Sequence, residues 1–303
     1  MNVLLAGGGS SHERQVSLKT TDAMENALQE LGLNYRRVEV KDELDVVTFW
    51  EDRFDILLLG FHGRRGEDGL LQAFLERHGI PYTGADAAAS QLAFSKVTSK
   101  RLFLEAGVPT PKWEFFLHEP HAPLPKGKLQ YPYVIKPDNE GSTIGLSVCR
   151  NEADFIRAQE ISGPFNRLLY ESFIPGREVT VGVLGGKALP VVEIFPGHDL
   201  YDYESKYTKG ASRYECPAQL DPSTNNLLQT FAVKAMKALG VSVYGRVDFR
   251  LDADGTAWCL EVNTLPGMTE TSLLPMAANA IGMSFPELIE RILRESSRLK
   301  IED

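Results

Sequence analysis

Apolar runs broken by small and polar residues divide the first third of this chain into alternating short strands and helices. Val3-Leu4-Leu5-Ala6 is continuously apolar and leads into Gly7-Gly8-Gly9-Ser10-Ser11, the pattern of a buried parallel strand entering a glycine-rich turn. Met24, Ala27, Leu28 and Leu31 then recur at helical spacing, and Gly32 supplies a stop. Strand signals at Tyr35 to Val40 and Asp55 to Gly60, with a helix from about Leu70 to Arg77, predict a doubly wound α/β domain over the first 90 or so residues. The glycines lack G-x-G-x-x-G spacing, so they are weak grounds for a nicotinamide site.

The pattern changes from about Lys96. A helix ends near Gly107 at the break Val108-Pro109-Thr110-Pro111, and a Pro-rich, His-containing surface stretch runs on to Lys128. The strand Tyr133-Val134-Ile135-Lys136 opens onto Pro137-Asp138-Asn139-Glu140-Gly141-Ser142-Thr143-Ile144-Gly145, a small-residue turn with a lysine at its mouth that can cradle phosphate. Leu168-Leu169-Tyr170 and Glu178-Val179-Thr180-Val181 read as strands on either side of a turn at Pro175-Gly176, and another strand covers Leu189 to Phe195. A polar segment with Tyr201, Tyr203, Tyr207 and Tyr214 then reads as a long loop, and such loops in compact domains tend to be lids. Helices from about Asn226 to Leu239 and from about Pro286 to Leu299 complete the chain.

Between those two helices, Arg246-Val247-Asp248 and Glu261-Val262-Asn263 flank a hairpin turn at Asp252-Ala253-Asp254-Gly255. Folding about that turn sets Arg246 opposite Glu261 and puts Asp248, Glu261 and Asn263 on one face. Two carboxylates and an amide suit Mg²⁺, which takes oxygen ligands and completes its shell with water and substrate phosphates. A polar, solvent-facing hairpin with Arg246 salt-bridged to Glu261 is the competing reading.

Length and charge narrow the class. A chain of 303 residues with 43% hydrophobic content supports two or three domains. The net charge of -9, without a basic stripe, argues against a nucleic-acid partner. Cys149, Cys216 and Cys259 are far apart, so neither a disulfide framework nor a structural zinc site is indicated. Nothing resembles a signal peptide or a membrane span, which leads to the expectation of a soluble, cytoplasmic protein.

Four segments extend the hairpin into a constellation: HGRRGEDG at 62 to 69, KPDNEGSTIG at 136 to 145, YDYESKY at 201 to 207 and LEVNTLPGMTETSL at 260 to 273. With Ser11-His12-Glu13-Arg14-Gln15-Val16-Ser17 and Gly282-Met283-Ser284-Phe285, they resemble the signature of D-alanine-D-alanine ligases, members of the ATP-grasp enzymes, in one order over nearly the whole chain. Only 112 to 130 matches nothing in that pattern. The resemblance implies an ATP-grasp fold of α/β class: an N-terminal doubly wound domain over 1–92, a small central α+β domain over 93–171, and a C-terminal α+β domain over 172–303 with metal site and lid.

The implied reaction joins two D-amino acids with ATP cleaved to ADP and phosphate, by way of an acyl phosphate. Asp248, Glu261 and Asn263 match the family's metal ligands, with two Mg²⁺ ions expected and Mn²⁺ as a substitute; Lys96, Lys136 and Lys206 match its phosphate-contacting lysines. Arg246 and the Gly267 N–H match the oxyanion stabilisers, Ser272 and Leu273 hold the second substrate's carboxylate, and Glu13 receives the first substrate's ammonium. His62 is placed beside that substrate. Glu171, Phe173 and Ile174 are expected at the adenine and Glu178 at the ribose. Glu13, Ser142 and Tyr207 match a triad that closes the lid, and Tyr207 favours an amine as second nucleophile. Small-molecule partners, D-alanine and ATP, and a homodimer follow from the same resemblance.

The departures are Arg64-Arg65, where one small residue is usual, and Thr143 in place of a second serine. A related ligase for another D-amino acid shares most of these motifs. A nucleotide-binding sensor would keep the lysines but has no need of Arg246, Ser272 and Glu13.

Overall fold

The computed structural model describes residues 1–197, 212–269 and 271–299, with side chains as far as 297 in the last helix. Strand β1 (Asn2–Gly8) pairs in parallel with β2 (Asn34–Val40) and β3 (Ile56–Leu59), in the order β2-β1-β3. Helix α1 (Arg14–Glu30) packs on β1 through Met24, Ala27 and Leu28. Its first turn is tied to two strand ends at once. Ser17 Oγ accepts the Gly8 N–H (2.8 Å) and donates to the Gly60 carbonyl (2.7 Å), which fixes where Glu13, the residue before the helix, sits.

The second sheet is antiparallel, in the order β4 (Trp113–Leu117), β7 (Arg167–Ser172), β5 (Tyr133–Pro137) and β6 (Ser147–Cys149), with helix α5 (Glu152–Ser162) against β6. Asn151 caps α5 by accepting the Asp154 N–H (3.0 Å). Strand β4 corrects the reading of 112–128 as surface loop throughout. It is an edge strand with no fully buried side chain, so it lacks the apolar alternation that reveals a strand.

The third sheet is a five-stranded antiparallel array, β10 (Ser212–Glu215), β9 (Lys187–Pro196), β8 (Arg177–Leu184), β11 (Tyr244–Leu251) and β12 (Ala257–Asn263). Tyr214 therefore lies in a strand, not in the polar loop. Helices α3 (Ala87–Phe94) and α4 (Lys96–Glu105) share this sheet's core through Ala89, Ala93 and Phe103. So does helix α6 (Pro222–Ala238), through Leu228, Ala232, Ala235 and Met236. Its start is set by Asp221, which accepts the Thr224 N–H (3.0 Å), and by Pro222 in the first turn.

Helix α2 (Leu70–Arg77) covers the N-terminal sheet at Leu71 and Leu75. Helices α7 (Leu273–Asn279) and α8 (Phe285–Leu299) return to that same core with Leu274, Ala277, Ile289, Ile292 and Leu293. Each such fully buried aliphatic side chain contributes about 1.5–3 kcal/mol relative to exposure. Strand β1 and helix α8 thus share one core, and between β12 and α7 Leu265 is bonded to His62 and Met268 to Thr20 of α1.

Candidate active site

Two adjoining cavities lie where the three sheets meet. One, about 210 Å³, is walled by α1, the end of β12 and residues 264–269 and 271–273. The other, about 140 Å³, lies between β5, the turn 137–146, the stretch 171–174 and the face of β8, β11 and β12. Lys96, Glu140, Gly141, Ser142 and Glu261 line both.

Lys96 opens α4, and its position is over-determined. Ser95 caps the helix by accepting the Thr98 N–H (3.3 Å). The fully buried Asp138 carboxylate accepts the Val97 N–H (2.8 Å), the Ser95 hydroxyl and both arms of Arg167 (3.0 and 2.7 Å), while its carbonyl accepts the Lys96 N–H (3.1 Å). The Lys96 Nζ donates to the Glu140 carbonyl (2.6 Å) and stands 3.6 Å from Glu261 Oε2.

The hairpin register differs from the expected one. Asp248 stands opposite Glu261 and Arg246 opposite Asn263. The turn closes at Leu251 opposite Ala257, organised by Asp252 Oδ1, which accepts the N–H groups of Asp254 (3.0 Å) and Thr256 (2.9 Å). A bulge beside Asp248 then leaves Leu260 unmatched. The longer turn and the bulge each displace the pairing by one residue, so together they preserve the face on which Asp248, Glu261 and Asn263 lie.

Arg246 pairs with Asp248 rather than Glu261. Its Nε and Nη2 reach the two carboxylate oxygens at 2.9 Å each, and Thr180 donates to Asp248 Oδ1 (2.6 Å). Residues two apart in a strand share a face, which places this fork within reach without crossing the hairpin. Asn263 Oδ1 is buried and accepts no hydrogen bond among the described residues.

In the second cavity, Lys136 Nζ lies 3.0 Å from Glu171 Oε1. Glu171 is held from its other side by Lys100, so its carboxylate lies between two lysines. Burial opposes the Glu171 charge, but Lys100 and Lys136 together outweigh it and hold the carboxyl below its ordinary range. Phe173, Ile174, Val134, Ile144 and Leu260 supply apolar wall, and Glu178 is bonded to Arg250 (3.0 Å), which also donates to the carbonyls of Ile174 (3.1 Å) and Gly176 (2.9 Å).

In the first cavity, the Ser142 hydroxyl donates to Glu13 Oε1. Ser142 and Thr143 both have positive φ, +50° and +65°, a left-handed pair without glycine that costs on the order of 1–3 kcal/mol per residue. His62 Nδ1 donates to the Leu265 carbonyl (2.9 Å), so its Nε2 accepts from Thr20 Oγ1 (2.8 Å) when the ring is neutral. Glu67 lies beside it, and burial with the nearby Glu13 charge pushes its carboxyl up against the opposing pull of His62. Ser272 Oγ accepts the Thr269 N–H (3.0 Å) just before α7 begins at Leu273, and a Cβ on Gly267 would stand 2.9 Å from it. Lys206 and Tyr207, with Tyr201 and Tyr203, lie outside the described residues.

Sequence reasoning passed over Lys100, Asp138, Thr180 and Arg250. Two of them carried a signal: Lys100 is one helical turn beyond Lys96, and Arg250 is two residues beyond Asp248 on the same strand face. Arg65 is turned away by an ion pair with Asp42, and Arg64 is mostly exposed at 4.0 Å from Glu140.

This geometry has relatives. A family profile described as D-ala D-ala ligase C-terminus matches residues 102–294. A D-alanine–D-alanine ligase of Methylacidiphilum infernorum is 46% identical over 299 residues, covering 97% of this chain and 95% of its own. That of Aquifex aeolicus is 42% identical over 294 residues, covering 97% and 100%. Among solved structures, a Bacillus anthracis D-alanine–D-alanine ligase complexed with ATP aligns with a TM-score of 0.86 at 31% identity, covering 100% of this chain and 98% of that one. A D-Ala:D-Ser ligase from Enterococcus faecalis aligns with a TM-score of 0.82 at 26% identity, over 98% and 99%. Identity at this level over the full length of both partners, on this sheet architecture, means that the chain belongs to the D-alanine–D-alanine ligase family.

Proposed function

We propose that the two cavities are the amino-acid and nucleotide halves of one ligase site. The chain is an ATP-dependent ligase that joins two D-alanines through a D-alanyl phosphate, releasing ADP and phosphate and supplying D-alanyl-D-alanine for peptidoglycan precursors. The observation that carries the site assignment is the shared wall. Lys96, Ser142 and Glu261 border both cavities, so a γ-phosphate entering from one side meets a carboxylate held on the other.

Three portions divide the work in this reading: 1–92 holds the first D-alanine, 93–171 clamps the nucleotide, and 172–303 carries the metal face and lid. Phe173 and Ile174 pack the adenine and Glu178 takes the ribose hydroxyls, while Lys96, Lys136 and Lys206 draw negative charge away from the phosphates as compact cations. Glu13 receives the ammonium of the first D-alanine, with His62 beside it. The first D-alanine's carboxylate attacks the γ-phosphorus, the bond to ADP breaks, and the oxygen it contributes stays with the transferred phosphoryl group.

A divalent cation fits the hairpin face. Asn263 Oδ1, buried and without a hydrogen bond, is an oxygen left for a ligand, and Asp248 and Glu261 stand opposite one another beside it. Those three residues would hold Mg²⁺, two ions in the fullest form with Mn²⁺ as a substitute, and the metal would neutralise phosphate charge during transfer.

The second D-alanine, its carboxylate held by Ser272 and the Leu273 N–H, attacks the acyl carbon with its amine. Charge then develops on the carbonyl oxygen, where Arg246 and the Gly267 N–H donate. The nitrogen gives up its proton, the acyl C–O bond breaks, and phosphate leaves with that oxygen to complete the peptide bond. The Ser142 to Glu13 contact, with Tyr207 as third member, closes the lid and keeps water from the acyl phosphate. A cytoplasmic homodimer is the form this family resemblance implies. No helix among the described residues is long and apolar enough to cross a membrane.

Coupled measurement of ADP release over a panel of D-alanine, D-serine and D-lactate tests this reading. D-Alanine alone should sustain turnover. Release of ADP at the same rate without any D-amino acid, or turnover with D-serine and none with D-alanine, would refute it.

A further inference from the structure

Lys100 has no part in the reaction described above, yet it is the one lysine among the described residues whose side chain is wholly buried, at 0% exposure. It lies on α4 one turn beyond Lys96, facing the interior behind the nucleotide cavity. Its Nζ donates to Thr110 Oγ1 (2.7 Å) and pairs with Glu171. The Thr110 hydroxyl proton is committed to the Cys259 carbonyl (2.8 Å), so a lone pair is left facing the ammonium. The other Glu171 oxygen holds Lys136 at 3.0 Å, at the wall of the cavity that Lys100 does not line.

The arrangement is a row of fixed charges, Lys100, Glu171 and Lys136, anchored at its buried end by the Thr110 hydroxyl. A buried ammonium is costly unless paired, and a buried carboxylate equally so. If Glu171 had only Lys136 as counter-ion, that lysine would be bound to it at the expense of any ligand. Burial pushes the Lys100 ammonium down and its contact with Glu171 opposes that. With the ammonium retained, a second positive charge stands behind the carboxylate, and the group of three carries one net positive charge. That surplus charge faces the cavity through Lys136.

The geometry points to Lys100 as a positioning residue for ATP: it orients Glu171 and releases the charge of Lys136 toward the nucleotide phosphates. This inference rests on the reading of the second cavity as the nucleotide site. It places a determinant of ATP affinity behind the wall of the site, on a side chain that touches neither nucleotide nor amino acid.

The test is Lys100→Met in the full-length enzyme, which keeps the side chain's length and removes its charge. The KM for ATP should rise about tenfold or more while the KM for D-alanine stays within about twofold. In a Glu171→Gln background, the same substitution should raise the KM for ATP by much less than it does in the native enzyme, because the charge it neutralises is gone. A merely structural lysine would lower the melting temperature without that split. A folded Lys100→Met enzyme with unchanged KM for ATP, or with equal rises in both KM values, overturns the inference.

Should Lys100→Met fail to fold, Thr110→Val withdraws the oxygen that holds the lysine and leaves every charge in place. It should raise the KM for ATP roughly threefold with the KM for D-alanine unmoved, and no change in the former overturns the inference equally. Leu260→Trp, which fills the same cavity, separates the two readings. If it leaves the KM for ATP unchanged, the nucleotide assignment of the cavity fails; if it raises that KM and Lys100→Met does not, the role of Lys100 alone fails.

Discussion

Lys96 Nζ lies 3.6 Å from Glu261 Oε2, so the cation that opens α4 and the carboxylate on β12 face each other across the junction of the two cavities. Without nucleotide each partly neutralises the other. In the proposed site, ATP and metal would separate them, the lysine turning to phosphate and the carboxylate to the cation. Glu261→Gln removes the carboxylate's charge and keeps its shape. Phosphoryl transfer should fall by more than about 100-fold at any Mg²⁺ concentration, with a melting temperature within a few degrees of wild type. Unchanged turnover at saturating Mg²⁺ removes Glu261 from the metal site, and chelation of divalent metal should abolish ADP release from the native enzyme.

Arg246 is held by both oxygens of Asp248 on its own strand, which preorganises the guanidinium without a bond across the hairpin. Arg246→Met should lower kcat by roughly 100-fold or more, with the KM for ATP changed by less than about threefold. An equal loss in ATP affinity would show that Arg246 acts on the nucleotide and not on the oxyanion.

Asp138 joins the turn 137–146 to the first turn of α4: its carboxylate accepts from the Ser95 hydroxyl, the Val97 N–H and the Nε and Nη2 of Arg167. Asp138→Ala should destabilise the fold by about 3 kcal/mol and raise the KM for ATP, because Lys96 loses its anchor. Denaturant unfolding beside steady-state kinetics checks both. A stable variant with native ATP affinity would contradict the coupling.

The depressed Glu171 carboxyl gives the enzyme a signature in acid. Because its folded value lies below the ordinary 4.5, the unfolded chain binds more protons over that interval. The group's contribution to stability is therefore complete above 4.5 and is lost as pH falls through the folded value. Glu171→Gln should be less stable than wild type near neutrality, and the gap measured by urea unfolding should narrow as pH drops below 4.5. A gap that stays constant into strong acid would mean that Glu171 carries no such charge.

The sequence made the regular parts legible where periodicity was strong. The buried run Val3 to Ala6, the helix ending at Gly32 and the Leu70–Arg77 helix appear where the apolar spacing puts them. Strand β4 did not show itself, because an edge strand with half-exposed Phe115 and Phe116 reads like any aromatic surface stretch. The hairpin face was legible and its register was not: the five-residue turn depends on hydrogen bonds to Asp252, and the bulge at Leu260 shifts the pairing again, neither of which spacing alone specifies.

The site shows the same division. Side chains in the motifs, such as Glu13, Ser142 and Lys96, were reachable through the resemblance their segments carry, whereas Asp138 and Lys100 lie behind the cavities, where only the packed fold brings their partners together. The Arg246 partner was misread for the same reason. Register decides which carboxylate a guanidinium reaches, and register is a property of the paired strands.

Oxygen transfer tests the central claim most directly. With D-alanine labelled by ¹⁸O in its carboxylate, attack on the γ-phosphorus carries one labelled oxygen into inorganic phosphate for each dipeptide formed. Mass spectrometry of the released phosphate should find that label, together with D-alanyl-D-alanine in equal amount. Unlabelled phosphate alongside dipeptide would contradict activation of the carboxylate at the junction of Lys96, Ser142 and Glu261.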